Sequence, residues 1–466
     1  LILHSTGNVS GVATESSGAD VCEAESAAGL PYAKVTSGGN TAYADANGDY
    51  TVAGTGTITS TLDGQWFDSQ NQSGSDASLS QPSSNPNFLH NDANNNEQYR
   101  AQVNGYLQSN VVRDYALAFA PAFPTIATQT SFPVKTGVSG TCNAFYDYSS
   151  INFYNAGGGC SNTAFSVIVH HEYGHHMVAV AGSGQGAYGE GMGDVMGVLI
   201  TGDNQLARGF YSNDCPNGIR NAINNHQYPC SGEIHDCGQL ISGCVWDIIV
   251  SMEAAYPLTG HDIVSSLAVN SIMLHSGTEI DPTITTDWLV LDDDDGDVTN
   301  GTQHSTELLA GFAMHNMDNW SPPTPYACCI DEECSELISS ACLAAGGVPR
   351  TGFSCAQVSC LPLSNDFCDT AQYVTDGSWA FTTVDALNGS EPYNDAQCAG
   401  TYLGVMSADV WFSYIACETG SMTVSTCDSI DFDSDIVVYE GTCGALTQVA
   451  CNGDGTNCTG YSSHVV

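Results

Sequence analysis

His171-Glu172-Tyr173-Gly174-His175 lies inside the stretch Phe165 to Ala181, whose apolar residues recur about every 3.6 positions. That period predicts a helix, on which residues i and i+4 stand on one face, so the two imidazoles converge. Paired imidazoles suit a borderline-soft divalent ion such as Zn2+, and Glu172 can serve as general base toward a water that the ion polarises. His170 and His176 flank the motif, which leaves a His-rich surface helix as the competing reading. Twelve residues after His175, the stretch Ala187 to Asp194 opens a second helix on which Glu190 and Asp194 again share a face. Glu190 is the candidate third ligand. Asp194 is placed to accept a hydrogen bond from the non-ligating nitrogen of His171 and so to fix its tautomer. Two His and one Glu leave a coordination position open, as catalytic rather than structural zinc sites do. Taken alone, the Glu190 and Asp194 pair reads as a solvated acidic turn.

Outward from this motif the chain changes character several times. Residues 1–85 are rich in Gly, Ser and Thr with short alternating segments, which predicts an N-terminal β module. Asp45 to Asp49 in it reads as a hairpin turn, and Ser69 to Asn87 as an exposed linker. Residues 86–324 form the region that holds the motif: a helix from Asn96 that ends before Pro121, short strands, then mainly helices, including Glu190 to Ile200, Cys244 to Ala255 and Ser305 to His315. Ser321 to Pro325 reads as an extended tether. Residues 325–363 carry six cysteines and little apolar material, a connector that needs disulfides in place of a core. Residues 364–466 alternate with turns every ten residues or so, which predicts a C-terminal β-sandwich. The whole is read as multidomain, with a mixed α+β central domain between two β modules.

Composition narrows the function classes. The 466 residues carry 7 Lys and Arg against 51 Asp and Glu, a formal charge of −44, which repels nucleic acid phosphates and anionic bilayers. No apolar run approaches the roughly 18 residues of a membrane span. Twenty cysteines, many closely spaced, suit the disulfides of a secreted, extracellular protein. Cys142 with Cys160, Cys215 with Cys230 and Cys237 with Cys244 are the natural local pairings. Leu1 is not a start methionine, so a signal peptide is expected to have been removed, and the strand-like end at Val466 leads us to expect further chain beyond it. The acidic run Asp292 to Asp297 is a candidate for Ca2+, but it lacks EF-hand spacing and a solvated acidic loop is the favoured reading, while Asp431 to Asp435 is open to a turn or a metal loop.

The pattern His171-Glu172-x-x-His175 followed by Glu190-x-x-x-Asp194 resembles the gluzincin metallopeptidases, the thermolysin and fungalysin group, over residues 95–318. Asn143-Ala144-Phe145-Tyr146 resembles that group's edge strand, which implies substrate-binding roles for Asn143 and Ala144. Ile234 to Gly238 resembles its segment with a catalytic His, which implies that His235 steadies the tetrahedral intermediate. The family's arginine for the substrate carbonyl has two candidates, Arg208 and Arg220, of which Arg208 is preferred. Tyr188 is the candidate for a second oxyanion donor. The resemblance implies a zinc-dependent endopeptidase with a thermolysin-like catalytic domain acting on proteins and peptides, and the trailing sandwich resembles accessory modules that bind a surface, a glycan or substrate. Two rivals remain: a cell-surface or filament-forming protein that uses the fold as scaffold, and a carbohydrate-binding adhesin.

Overall fold

The computed structural model describes residues 3–14, 18–82, 85–320, 325–330, 333–338, 342, 345, 347–350, 353–356, 358, 360, 364–383, 386, 393–398, 400–401, 403, 408–416, 418–427, 430, 432–456, 458–459 and 461–466. The expected tether at 321–324, Asp431 and Cys417 lie outside them. The chain divides into two compact units, Leu1–Pro322 and Pro323–Val466.

The first unit begins with nine strands: β1 (His4–Ala13), β2 (Ser26–Gly29), β3 (Lys34–Ser37), β4 (Asn40–Tyr43), β5 (Asp49–Ala53), β6 (Ile58–Thr61), β7 (Phe67–Asn71), β8 (Ser78–Gln81) and β9 (Phe88–His90). β1 pairs with β2, β5 and β9, while β4, β3, β6 and β8 form a second sheet in that order. Asp45 to Asp49 is indeed a tight turn, with the Asp45 carboxylate accepting the N–H groups of Asn47 and Asp49. Ser69 to Asn87 is not a linker. It supplies the end of β7 and all of β8, because its Ser and Gln side chains bond across the sheet and to the next helix, as in Ser69 Oγ to Gln102 O at 3.1 Å.

Helix α1 (Glu97–Phe119) follows, capped by Asn96, whose side chain accepts the Tyr99 N–H. It ends before Pro121, as its periodicity predicts. Every residue from Ala101 to Asn110 is nevertheless buried, so α1 is a central helix rather than one with a single inward face. Two of its buried amides reach neighbouring elements: Asn104 accepts the Thr14 N–H, and Gln108 donates to Thr14 O and meets His170. Strands β10 (Phe132–Val138), β11 (Ala144–Tyr146) and β12 (Ile151–Tyr154) then build a mixed sheet with β7 in the order β11-β12-β10-β7, leaving β11 at an edge.

The remainder is helical: α2 (Ser166–Val180), α3 (Gly186–Thr201), a short β13 (Gln205–Leu206) and β14 (Arg220–Asn221) pair, α4 (Ile234–Ala255), α5 (Gly260–Ser271), α6 (Thr283–Asp292) and α7 (Ser305–Ala313). Sequence reading missed α5 and α6 and started α4 ten residues late, at Cys244 rather than Ile234. Gly238 and Gly243 are poor helix formers, yet both lie within α4, and Gly238 lets α3 pass close beside it: a Cβ would come 2.9 Å from Glu190 Cβ. No described helix is long and apolar enough to cross a membrane. Phe67, Phe132 and Tyr173 form mutual edge-to-face pairs with centroids 5.4–6.2 Å apart, which ties the mixed sheet to α2.

In the second unit, β15 (Tyr326–Ile330), β16 (Glu333–Leu337) and β17 (Val348–Arg350) form a three-stranded sheet held by Cys328–Cys342, Cys329–Cys360 and Cys334–Cys355. Strands β18 (Gln372–Val374), β19 (Phe412–Tyr414), β20 (Val424–Ser425), β21 (Ile436–Thr442), β22 (Ala445–Asn452) and β23 (His464–Val465) pair as three two-stranded sheets among the described residues. Two of the expected disulfides are different. Cys142 does pair with Cys160, but Cys237 pairs with Cys230 and Cys215 with Cys22, leaving Cys244 as a buried thiol. The reason is α4: seven residues along a helix put Cys237 and Cys244 about 10 Å apart, beyond disulfide reach.

His90 gives a test of this packing. It is fully buried between Ser60 Oγ (3.0 Å) and Tyr99 Oη (2.8 Å), and burial lowers its pKa from 6.5 to about 4. The unfolded chain takes up this proton near pH 6.5 and the folded chain only near 4, so stability falls as pH drops through that window, by about 3 kcal/mol from this residue. In EDTA, His90→Gln should lose correspondingly less stability than the wild type between pH 6.5 and 4 in chemical denaturation. Equal losses would contradict the assignment.

Candidate metal centre

Three helices contribute. α2 carries His171, Glu172 and His175, α3 carries Glu190 and Asp194, and the first turn of α4 carries His235. They converge because glycines let the backbones touch. A Cβ on Gly174 would lie 2.8 Å from Gly193 Cα, and one on Gly191 would lie 2.7 Å from Gly238 O. Glycine in a helix interior costs about 1 kcal/mol relative to alanine, and here that cost is offset by an approach no larger residue permits. α2 is not a surface helix. His170 and His176 are buried, His170 against Gln108 (2.9 Å) and His176 against Gln129 (2.7 Å) and Tyr146 Oη (3.1 Å).

His171 Nε2 lies 3.2 Å from Glu190 Oε2 and His175 Nε2 lies 3.5 Å from Glu190 Oε1. One donor atom from each of the three residues falls within 4.8 Å of the others. The tautomers follow from the neighbours. His171 Nδ1–H donates to Asp194 Oδ1 at 2.9 Å. Gln185 Nε2 donates to the His175 carbonyl at 3.0 Å, which sets the amide so that its Oε1 accepts from His175 Nδ1–H at 2.8 Å. Both Nε2 lone pairs therefore face the carboxylate of Glu190, whose buried Oε2 has no hydrogen-bond partner among the described residues. Lone pairs opposed in this way need a cation between them. A tetrahedral ion with bonds of about 2.0–2.2 Å separates its donor atoms by about 3.3–3.5 Å, so the residues fit a zinc-like ion.

The surrounding charges agree. Burial works against a charged His171, but Asp194 and Glu190 outweigh it and lift its pKa to about 10. The field that would hold a proton there equally favours a divalent cation. Burial would also raise Glu190, yet the imidazoles of His171 and His175 beside it hold its carboxyl well below the carboxylate range. Glu172, buried beside the first imidazole, is pushed up by desolvation against the opposing charges of His171 and His175. Arg220 Nη2 donates to Asp194 Oδ1, the oxygen that also accepts from His171, and its Nε lies 2.8 Å from Oδ2, so both oxygens of Asp194 are held.

The expected residues fare unequally. His235 is at the site: its Nε2 lies 3.4 Å from Glu190 Oε2 and its Nδ1–H donates to Glu233 Oε1 at 2.6 Å. Asn143 and Ala144 run into the edge strand β11, with the Asn143 carbonyl accepting from Thr163 Oγ1. Arg208 is not at the site. It pairs with Asp203 at 2.7 Å, because the turn after α3 points it there, and Arg220, on β14, takes the place beside Asp194. Tyr188 is not placed as an oxyanion donor either, since its fully buried ring stacks 3.9 Å from His275. In the acidic run, Asp293, Asp294 and Asp295 come together, but Asp293 and Asp295 already accept N–H groups of their own turn and Asp292 is bound to Thr302 and His304. Sequence reading missed Gln185 and Glu233, which lie two to five residues before the motif residues of their helices and follow no spacing rule.

Gly193 tests the packing at the site. A Cβ there would fall 2.6 Å from His171 Nδ1, in the space of the bond to Asp194. Gly193→Ala should weaken Zn2+ binding about 10- to 100-fold in competition with a chelator, the usual cost of losing a ligand's outer partner. Unchanged affinity would contradict the geometry.

No family model matches the chain, and no curated protein does. Among solved structures the chain is similar to the precursor of protealysin, a metalloproteinase from Serratia proteamaculans, at 12% identity and a TM-score of 0.38, over 53% of this chain and 85% of that one. At that score the likeness carries no argument of its own.

Proposed function

We propose that this chain is a secreted zinc-dependent endopeptidase that hydrolyses peptide bonds of proteins. The observation that carries the reading is the set His171, His175 and Glu190, whose donor atoms lie within 4.8 Å of one another, with the carboxylate of Glu172 buried next to them. A zinc ion held by the three supplies Lewis acidity, which makes water acidic near neutral pH and polarises a peptide carbonyl.

The chain's own groups would do the rest. Glu172, made more basic by its burial, takes a proton from the attacking water and returns it to the leaving amine. As an imidazolium, His235 keeps its Nδ1–H on Glu233 and donates its Nε2–H toward the oxygen on which charge develops, and one such donor contributes on the order of 3 kcal/mol to the transition state. Loss of His235 therefore lowers turnover more than binding. Arg220 takes over the substrate-carbonyl role first assigned to Arg208, since its guanidinium is the one at the site. The free edge of β11, with Asn143 and Ala144, is suited to an extended peptide that adds as a strand. Nine disulfides among the described residues suit an oxidising, extracellular setting. We read the second unit as a connector and a β-sandwich accessory module for a surface or glycan.

Metal analysis with casein digestion tests the reading. The wild type should hold one zinc and digest casein, and Glu172→Gln should keep the zinc while losing about 10^2- to 10^4-fold in rate. Equal activity in both would remove Glu172 as the base, and absence of zinc would favour the scaffold alternative.

A further inference from the structure

The two imidazoles of the site are oriented by chemically different partners. His171 leans on a carboxylate, Asp194, which Arg220 neutralises in turn. His175 leans on a neutral amide, Gln185, in the loop between α2 and α3. Resting on the zinc reading above, we infer that Gln185 is the positioning residue for His175: its carbonyl oxygen fixes the tautomer and ring angle that turn Nε2 toward the ion, without adding a fourth buried carboxylate beside Glu172, Glu190 and Asp194.

Several features of the loop serve this one side chain. Only fourteen residues separate His175 from Glu190, so the chain must turn sharply and restart a helix at once. Gly182 and Gly186 take positive φ angles of 85° and 70°, which other residues adopt only with strain. Gly184 packs against residues 277 and 278, where a Cβ would lie 2.7 Å from Gly277 O. Ser183 Oγ donates to the Ile272 carbonyl at 2.8 Å and anchors the turn. Gln185 then reaches back ten residues and holds His175 twice, by ring and by backbone carbonyl. Gly189 completes the arrangement, because a Cβ there would come 2.5 Å from Gln185 Oε1 and 3.3 Å from His175 Nδ1.

The double contact also separates an orienting role from a merely structural one. A carboxylate at this position can still accept from the ring Nδ1–H but cannot donate to the His175 carbonyl. Leucine can do neither. The measurement is Zn2+ affinity by competition with a chromophoric chelator, supported by the absorption spectrum of the Co2+-loaded protein. Gln185→Leu should bind Zn2+ about 10- to 100-fold more weakly than the wild type and alter the Co2+ spectrum. Gln185→Glu should restore affinity to the wild-type order of magnitude or tighten it, and keep a wild-type-like Co2+ spectrum. Wild-type affinity in Gln185→Leu would overturn the inference, as would a Gln185→Glu variant as weak as the leucine variant, which would point to the backbone contact alone. If the wild type itself binds no Zn2+, the zinc reading fails first and this inference with it. One zinc in the wild type with equal affinity in Gln185→Leu removes only the role of Gln185.

Discussion

A buried carboxylate facing two imidazole lone pairs is the constraint around which the first unit is arranged. Glu190 is nearly enclosed and is approached at 3.2 and 3.5 Å by nitrogens whose protons are committed elsewhere. Such an arrangement is unfavourable unless a cation lies between the groups, since a buried charge without a partner costs several kcal/mol. It persists because each member is held from behind: His171 by Asp194, Asp194 by Arg220, His175 by Gln185 and His235 by Glu233. His171, His175 and Glu190 themselves stand on helices rather than on loops, which fixes their mutual geometry.

The rigidity comes from packing that is largely apolar at the edges and polar at the centre. Tyr173, inside the motif, meets Phe67 and Phe132 of the mixed sheet, so α2 cannot rotate without breaking aromatic contacts worth about 0.5–1.5 kcal/mol each. Gln108 of the buried α1 holds His170, and Tyr146 of the edge strand holds His176. The two flanking histidines, which on the page of sequence suggest a wet surface, are therefore the struts of the metal helix. The six Lys and Arg of the first unit are all ion-paired, which leaves its surface strongly negative.

How much of this was legible depends on whether a residue follows a periodic rule. His171, His175, Glu190 and Asp194 obey i,i+4 spacing on two helical stretches, and the structure brings them together as that spacing implies. α1 could be bounded by Asn96 and Pro121 because caps and breakers act locally. What failed were features decided by distant parts of the chain. The stretch from Ser69 to Asn87 looked like a linker because its composition is polar, yet sheet partners absorb those polar groups. The start of α4 was hidden by glycines that exist for helix contact, and with it the pairing of Cys237. Sequence reading preferred Arg208 to Arg220, and only the β13–β14 pairing decides that the Arg220 guanidinium is the one that meets Asp194. Gln185 is an ordinary loop glutamine until its ring partner is seen.

X-ray absorption at the zinc edge of the purified protein addresses the central claim most directly, because it reports the ion's immediate neighbours. The account predicts a four-coordinate ion with two imidazole nitrogens and oxygen donors at about 2.0–2.2 Å and no sulfur, one oxygen being exchangeable with small anions. A first shell containing sulfur, one made only of oxygens, or one closed by four protein donors with nothing exchangeable, would contradict it.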